Sequence, residues 1–190
     1  MVDLSFLEQD SPVAAVALLG AVVTSTVDGE RVSVLLNEVE AYLGPDDPAS
    51  HAFRARTARN EPMFGLAGTI YVYRSYGIHW CINIVTGLRN DPQAVLLRGA
   101  DVIEGTDVAI ERRRRTDHLA DGPGKLGQAL GVTGAVSGTR LGAGPVALVS
   151  CADTLPPYEA TPRVGVGAAH NRRWRFVTKK GTKHRAPNTG

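Results

Sequence analysis

Polar and apolar residues alternate along several short segments of the chain, as they do in β-strands with one buried face. Two of these segments flank an Asp28-Gly29 turn, and two others flank the compact turn Ser75-Tyr76-Gly77, which is typical of antiparallel hairpins. The pattern predicts strands over residues 21–26, 31–42, 69–74, 78–85, 93–99 and 145–149, with 162–167 and 173–178 as further candidates.

Helical segments are fewer than strands. Pro12 suits the first turn of the first helix and Gly20 suits its end. The pattern predicts helices over residues 13–19, 105–119 and 126–130, and a glycine-rich loop over 132–144. Because hairpins outnumber crossover connections, the order predicts an α+β fold with a mainly antiparallel sheet. We expect a single domain over residues 1–185 and a flexible tail over residues 186–190.

The composition is typical of a soluble globular protein that forms a core without covalent cross-links. Of 190 residues, 43% are hydrophobic and 21% are charged. The only cysteines, Cys81 and Cys151, are too few for a disulfide framework or a zinc site. The first residues lack the positive n-region of a signal peptide, and the apolar run over residues 13–23 is too short to span a bilayer. We therefore expect no membrane partner and a cytoplasmic location, associated with the nucleoid in a bacterium.

The sequence contains no pattern that indicates a metal or a cofactor. The histidines are scattered, without the spacing of a metal-binding motif. Gly142-Ala143-Gly144 lacks the third glycine and the following helix of a dinucleotide-binding motif. We therefore expect no metal and no cofactor. No segment suggests an interface between subunits, and we expect a monomer.

The net charge is only +2, but the charges are unevenly distributed. Residues 1–50 carry nine acids and a single base, whereas no acid follows Glu159. The basic residues of this last part are accompanied by Trp174 and Phe176, and bases with interleaved aromatics fit a polyanion partner. The bases concerned are Arg163, Arg172, Arg173, Arg175, Lys179, Lys180, Lys183 and Arg185.

The segment over residues 37–51 concentrates candidate chemistry. If residues 35–42 form a strand, alternation puts Glu38, Glu40 and Tyr42 on the same face. Carboxylates and an aromatic ring at the end of a strand suit the wall of a pocket. For this stretch taken alone, an edge strand with two solvated glutamates is the simpler interpretation.

Six blocks, in order along the chain, extend the pattern: NEVEAYLGPDDPASH, TARNEPMF, AGTIYVYRSYGIHWCINIV, AVLLRGAD, DGPGKLGQALGV and PRVGVG. Together they resemble the alkyladenine (3-methyladenine) DNA glycosylases of the mammalian type, from Asn37 to Gly167. The resemblance implies a single glycosylase domain with a curved sheet, surrounding helices and a protruding β-hairpin. It also implies a base excision repair enzyme that flips an alkylated or deaminated purine out of duplex DNA, hydrolyses its N-glycosidic bond and leaves an abasic site.

The resemblance assigns Glu40 as the general base that activates water, a role for which Glu38 is the competing candidate. It implies that a pocket for the flipped base is lined by Tyr42, His51, Tyr73 and Asn83. Tyrosine faces attract the positive ring of an N-alkylated purine. Tyr71 shares a face with Tyr73 and is assigned to packing. His51 is interpreted either as a loop or capping residue or as a donor to the flipped nucleotide.

The resemblance also implies contacts with double-stranded DNA that contains damaged purines. Tyr76, just before Gly77, resembles a residue that wedges into the minor groove, although an exposed turn tyrosine is the simpler alternative. The predicted DNA contacts are Tyr76, Arg98, Arg59, Lys125, Met63 and Ile78, with Arg54 and Arg56 as further phosphate ligands. No lysine lies in the motif as a Schiff-base nucleophile, so we expect a monofunctional enzyme. The alternatives are a non-catalytic damaged-DNA-binding module, which would not need Glu40, and an RNA-binding domain.

Overall fold

The alternating segments form eight strands, and all strand pairs in the sheet are antiparallel. The structure is a computed structural model that describes residues 2–179, so the predicted tail over 186–190 lies outside the described residues. The strands are β1 Val22–Ser25, β2 Val32–Tyr42, β3 Ile70–Ser75, β4 His79–Thr86, β5 Gln93–Glu104, β6 Val146–Ser150, β7 Tyr158–Thr161 and β8 Arg175–Thr178. The α-helices are α1 Ser11–Ala17, α2 Thr106–Arg113 and α3 Pro123–Ala129. The predicted α+β fold is confirmed.

Strand β2 is the branch point of the sheet, whose order is β3-β4-β5-β2-β1-β6. One edge of β2 pairs with β5 along most of its length, while the other pairs first with β1 and then with β8, which in turn pairs with β7. Glu38 therefore lies between Gly99 of β5 and Val177 of β8. The acidic motif is interior to the sheet, and its interpretation as an edge strand is wrong.

The two faces of the sheet pack against different clusters of buried residues. Val39 and Ala41 of β2 belong to the main hydrophobic core, together with Leu18 after α1 and Leu126 of α3. The opposite face carries a second, small cluster of buried residues: Ala52, Met63, Tyr71, Val85 and Ala94. The predicted alternation of β2 is confirmed from Val39 to Tyr42, because Glu40 and Tyr42 contact each other on the face away from Val39 and Ala41. It is interrupted before Val39, since Leu36 and Val39 both belong to the core and the register shifts between them.

The pairing of β2 with β5 is irregular around Asn37, where the register shifts on both sides of Glu38. Such bulges bend a strand and increase its twist, which contributes to the curvature of this sheet. The curved sheet with a β3–β4 hairpin was predicted and is confirmed. None of the helices in residues 2–179 is long and apolar enough to cross a membrane.

Two predicted elements differ from the structure. The predicted helix over residues 105–119 ends at Arg113, because Arg114 adopts a left-handed conformation with φ of +53°. The predicted strand over residues 162–167 is wrong, and the strand lies just before it at Tyr158–Thr161. Within residues 162–167, the backbone N–H of Val164 donates to the Glu40 carboxylate and the Arg163 side chain binds Asp47.

Candidate active site

A cavity of about 650 Å³ opens on the face of the sheet that carries the smaller buried cluster. Its volume is in the usual range of small-ligand pockets. The end of β2, strands β3 to β5 and the segment 164–168 contribute to its walls. The predicted site residues that line it are Tyr42, His51, Arg59, Met63, Tyr73, Tyr76, Asn83 and Arg98. Of the remaining predicted residues, Glu40, Ile78 and Lys125 do not line it.

Glu40 lies directly behind the cavity wall and is fully buried. Its Oε1 accepts a hydrogen bond from the Tyr42 hydroxyl, and its Oε2 accepts one from the backbone N–H of Val164 at 3.2 Å. Nη1 of Arg98 lies 3.5 Å from the same Oε2. All three partners of the carboxylate line the cavity. The carboxylate is therefore one side chain away from the cavity.

Tyr42 connects the buried carboxylate with the cavity. Burial, followed by the negative charge of Glu40, holds the pKa of the Tyr42 hydroxyl far above its usual range. The hydroxyl therefore stays protonated at any physiological pH and donates a hydrogen bond to Glu40.

His51, Tyr71 and Tyr73 form an aromatic cluster in the cavity. The ring of His51 meets Tyr73 edge-on, with 4.6 Å between ring centres, and its Nδ1 lies 2.9 Å from the Tyr71 hydroxyl. Desolvation and then the charge of Arg59 lower the pKa of His51, so the imidazole is neutral at pH 7. A neutral imidazole bonded at Nδ1 can present Nε2 to a ligand as a donor or an acceptor.

The assignment of Tyr71 to packing alone is incomplete. Tyr71 is 1% exposed, and burial raises the pKa of its hydroxyl to about 12. The same hydroxyl nevertheless contacts His51, and the ring lines the cavity. Tyr71 thus packs and also orients the imidazole, which strand alternation could not reveal.

Asn83 and Met63 form the buried part of the cavity wall. The Asn83 amide donates to the backbone oxygen of Tyr71 at 3.0 Å, which fixes the orientation of its side chain. Met63 is 2% exposed and packs beside Tyr71. A ligand could meet Met63 only from inside the cavity.

The β3–β4 hairpin presents Tyr76 at the cavity mouth, where the residue is 90% exposed. Tyr76 has φ of +49° and Gly77 has φ of +69°, and the turn is closed by the Ile78 N–H, which donates to the Ser75 carbonyl oxygen at 2.9 Å. A left-handed conformation is unusual for a bulky residue and is concentrated at functional sites. Ile78 is 66% exposed beside it.

Arg98 joins the two glutamates of the motif. Its Nε donates to Glu38 Oε1 at 2.9 Å, and Arg175 Nε donates to the same oxygen at 2.7 Å. Burial would raise the pKa of Glu38, but the hydrogen bonds and charges of Arg175 and Arg98 outweigh it, so the pKa is lowered.

The sequence reasoning did not identify a buried ion pair between Asp47 and Arg163, whose side chains are both 0% exposed. Arg163 Nη2 donates to Asp47 Oδ1 at 2.7 Å, and Nη1 donates to Asp47 Oδ2 and to the Ala41 backbone oxygen. The guanidinium also stacks between the rings of Tyr42, at 4.9 Å, and Trp174, at 5.3 Å. The pair fixes segment 164–168 over Glu40.

Two residues of the basic C-terminal segment have partners inside the fold, while Lys180, Lys183 and Arg185 lie outside the described residues. Arg163 is buried against Asp47, and Arg175 is bound to Glu38. Both acids come from residues 1–50, so the uneven charge distribution was itself the available signal. Acids from the beginning of the chain and bases from its end pair inside the fold.

Three predicted phosphate contacts have other partners in the structure, and one of them is Arg56, whose Nε donates to Glu61 Oε2 at 2.6 Å. The Arg59 guanidinium lies 5.8 Å from the ring centre of Tyr73, at the cavity. Lys125 Nζ contacts Asp121 Oδ1 at 2.9 Å on the surface. Among residues 2–179, no group of histidine, cysteine or acidic side chains could hold a metal ion.

Comparison with known proteins gives a consistent result. Residues 5–182 match the family model described as methylpurine-DNA glycosylase. A protein of Frankia casuarinae is 48% identical over 183 residues, which cover 88% of this chain and 84% of that relative. Relatives from Nocardia farcinica and Methanoculleus marisnigri are 47% and 44% identical, over 93% and 92% of this chain and 86% and 93% of their own. All three bear the provisional name of 3-methyladenine DNA glycosylase.

Proposed function

This chain belongs to the methylpurine-DNA glycosylase family and is a DNA repair glycosylase, a hydrolase of N-glycosyl bonds, and from that premise we propose its mechanism. The enzyme flips an alkylated or deaminated purine out of duplex DNA into the cavity. Glu40 then activates a water molecule that attacks the sugar carbon, the base leaves and an abasic site remains.

The observation that carries this proposal is the placement of Glu40. It is a fully buried carboxylate that accepts hydrogen bonds from the Tyr42 hydroxyl and the Val164 amide and lies 3.5 Å from Arg98 Nη1, and all three partners line one cavity. Burying a carboxylate is costly unless its hydrogen bonds are satisfied. The fold maintains such a group behind a cavity lined by tyrosine and histidine rings, which is the arrangement that a general base for a flipped base requires.

The route for water follows from the lengths of these contacts. The separation of 3.5 Å between Arg98 Nη1 and Glu40 Oε2 is longer than a normal hydrogen bond, and it is the loosest of the three contacts. A water that enters beside Arg98 could donate to Oε2 while the other two contacts remain. The negative charge of Glu40 would also stabilise the developing positive charge on the sugar.

The cavity suits a flat, electron-poor base. Tyr42, Tyr73 and neutral His51 offer ring surfaces, and stacking contributes about 1–3 kcal/mol per base–aromatic contact. A cationic alkylpurine gains roughly 0.5–2 kcal/mol more from each tyrosine face. No lysine is among the described residues that line the cavity. This supports a monofunctional enzyme that leaves the strand intact.

The DNA is bound by residues around the cavity mouth. Tyr76 fills the gap that the flipped nucleotide leaves, with Ile78 beside it in the groove, and Met63 contacts the base from the cavity wall. Arg59, at the mouth, and Lys125, after exchange of Asp121 for phosphate, contact the backbone. One chain supplies all these groups, so we propose that a monomer acts on the DNA of the cytoplasm. Light scattering of the complex should give one 190-residue chain for each lesion duplex, and two chains would contradict this.

The test is single-turnover base release. Duplexes with one hypoxanthine or one ethenoadenine, and methylated bulk DNA, should lose the damaged base and acquire alkali-labile abasic sites. Strand cleavage without alkali would contradict the monofunctional mechanism. Tight lesion binding without release would reduce the protein to a damage-binding module, and preference for RNA would contradict the duplex substrate.

Tyr76→Ala should slow hypoxanthine release from a paired duplex by about tenfold, because the flipped state loses the side chain that fills the stack. The loss should be smaller when the lesion lies in a single strand, where nothing must be unstacked. Single-turnover rates on both substrates measure the difference. Leu88→Ala is the matched control, since Leu88 is 67% exposed outside the cavity. Equal losses on both substrates would show that Tyr76 is not a wedge.

A further inference from the structure

Glu38, the competing candidate for the general base, has a different environment from Glu40. It does not line the cavity, and its Oε1 is occupied by two arginines, Arg98 at 2.9 Å and Arg175 at 2.7 Å. Arg175 in turn donates to Thr161 Oγ1 at 3.1 Å. Glu38 is thus anchored to strands β7 and β8, and the water-activating role is less suited to it.

The guanidinium of Arg98 lies between the carboxylates of Glu38 and Glu40. Its Nε is hydrogen-bonded to Glu38, whereas its Nη1 stays 3.5 Å from Glu40. Arginine and a carboxylate readily form a tighter, two-pronged pair when nothing prevents it. Such a pair would occupy the lone pairs of Glu40 and make it a weaker base.

We propose that Glu38 is a positioning residue that holds Arg98 back from a full ion pair with Glu40, so that one carboxylate oxygen stays open to water. This inference rests on the proposed role of Glu40 as general base. Arg98 remains close enough to orient that water, but it does not close over the base.

The local backbone is shaped for this arrangement. The register shifts of β2 lie on both sides of Glu38. A Cβ on Gly99, directly across in β5, would lie 2.9 Å from Asn37 Oδ1 and 3.1 Å from the Cβ of Glu38. Glycine at this position therefore leaves space for both side chains. The bulge and Gly99 together let the Glu38 carboxylate reach Arg98.

The charged and titratable groups around Glu40 all affect how the rate of base release depends on pH. Tyr42 faces it from its own strand, Arg98 from β5 and Tyr73 from β3. Segment 164–168 contributes only the backbone amide of Val164. Arg175, from β8, acts on the group through Glu38.

The experiment is the pH–rate profile of single-turnover 7-methylguanine release, because this cationic base needs no protonation to leave. Glu38→Gln removes a negative charge near Glu40 and releases Arg98 towards it. Both changes favour the ionised carboxylate, so the acid limb should move down by about one pH unit. The plateau rate should fall several-fold, since a more readily ionised carboxylate is a weaker base.

Arg175→Gln is the second variant and has the opposite expectation. Glu38 then binds Arg98 alone and one positive charge is lost, so the acid limb should stay or move to higher pH. Glu104→Gln is the matched control, because Glu104 binds Arg31 with 3.0 Å contacts between β5 and the start of β2, away from the cavity. Its profile should equal that of the native chain.

Each outcome decides the matter. A downward shift in Glu38→Gln that disappears when Arg98 is also replaced by methionine, with none in Arg175→Gln, supports positioning, because loss of the Glu38 charge alone would move the limb with or without Arg98. A shift of the same size in the Arg98→Met background overturns it. An unshifted limb in Glu38→Gln, with a loss explained by reduced stability, overturns it, as does a downward shift in Arg175→Gln. Complete loss of release in Glu38→Gln at every pH, with release retained by Glu40→Gln, would overturn both this inference and the proposed role of Glu40.

Discussion

Glu40→Gln should reduce single-turnover base release by about 10²–10⁴-fold, the contribution of a positioned general base. Glutamine keeps the size of the side chain and one acceptor oxygen, but it cannot take a proton from water. The remaining oxygen can replace Oε2 as acceptor for the Val164 amide, and the Tyr42 hydroxyl, which donates to Oε1 in the native chain, can rotate to accept from the new amide N–H. Binding of lesion DNA should therefore be retained while chemistry is lost.

The measurement combines release rates with the affinity for the same duplex and with thermal unfolding. Glu159→Gln is the control, since it makes the same chemical change at an exposed position on β7. It should leave rate, affinity and unfolding unchanged. A Glu40→Gln rate within tenfold of the native value, in a folded protein, would exclude Glu40 as the base.

Arg163→Met should lower the free energy of unfolding by about 3–5 kcal/mol, because it leaves the Asp47 carboxylate buried without its partner. Methionine retains apolar bulk between Tyr42 and Trp174, so most of the loss should be electrostatic. Urea unfolding measures the change. Arg173→Met is the control, because Arg173 lies 4.0 Å from Glu159 with both side chains exposed, and it should cost less than about 1 kcal/mol. Equal effects of the two substitutions would contradict this account.

The ion pair between Asp47 and Arg163 should also make the free energy of unfolding depend on pH. Burial would raise the pKa of Asp47, but hydrogen bonds from Arg163 and from the backbone of Ala49 outweigh it and the pKa is lowered. A lowered pKa means that the stabilisation is present above the unfolded value, near pH 4, and is lost as the pH falls through the native value. The native chain should therefore lose more stability on acidification than Arg163→Met does.

Local patterns were sufficient for most of the regular structure. The strands from β1 to β6 follow from alternation and from turn residues, because those features act between near neighbours. The motif around Glu40 also followed from the sequence, since strand geometry puts Glu40 and Tyr42 on one face. The end of α2 could not be predicted from the sequence. The helical composition continues past Arg114, but the backbone of Arg114 is left-handed and ends the helix.

Long-range pairing explains what the sequence pattern missed. The strand predicted over residues 162–167 is alternating and apolar enough to be one, but Arg163 is bound by Asp47 at a separation of 116 residues. Tyr71 was assigned to packing because alternation shows only which face a ring occupies. Its contact with His51 depends on a loop that folds over the sheet.

The sequence by itself determined the α+β class, most strands and the residues of the candidate chemistry, because these depend on periodicity and on residue type. Only the tertiary structure decided how those residues are partnered. It showed that Glu40 lies behind the cavity wall, that Glu38 binds Arg98 and Arg175, and that bases near the end of the chain neutralise acids near its beginning. Those contacts join distant parts of the chain, and their energies depend on burial, which no local pattern encodes.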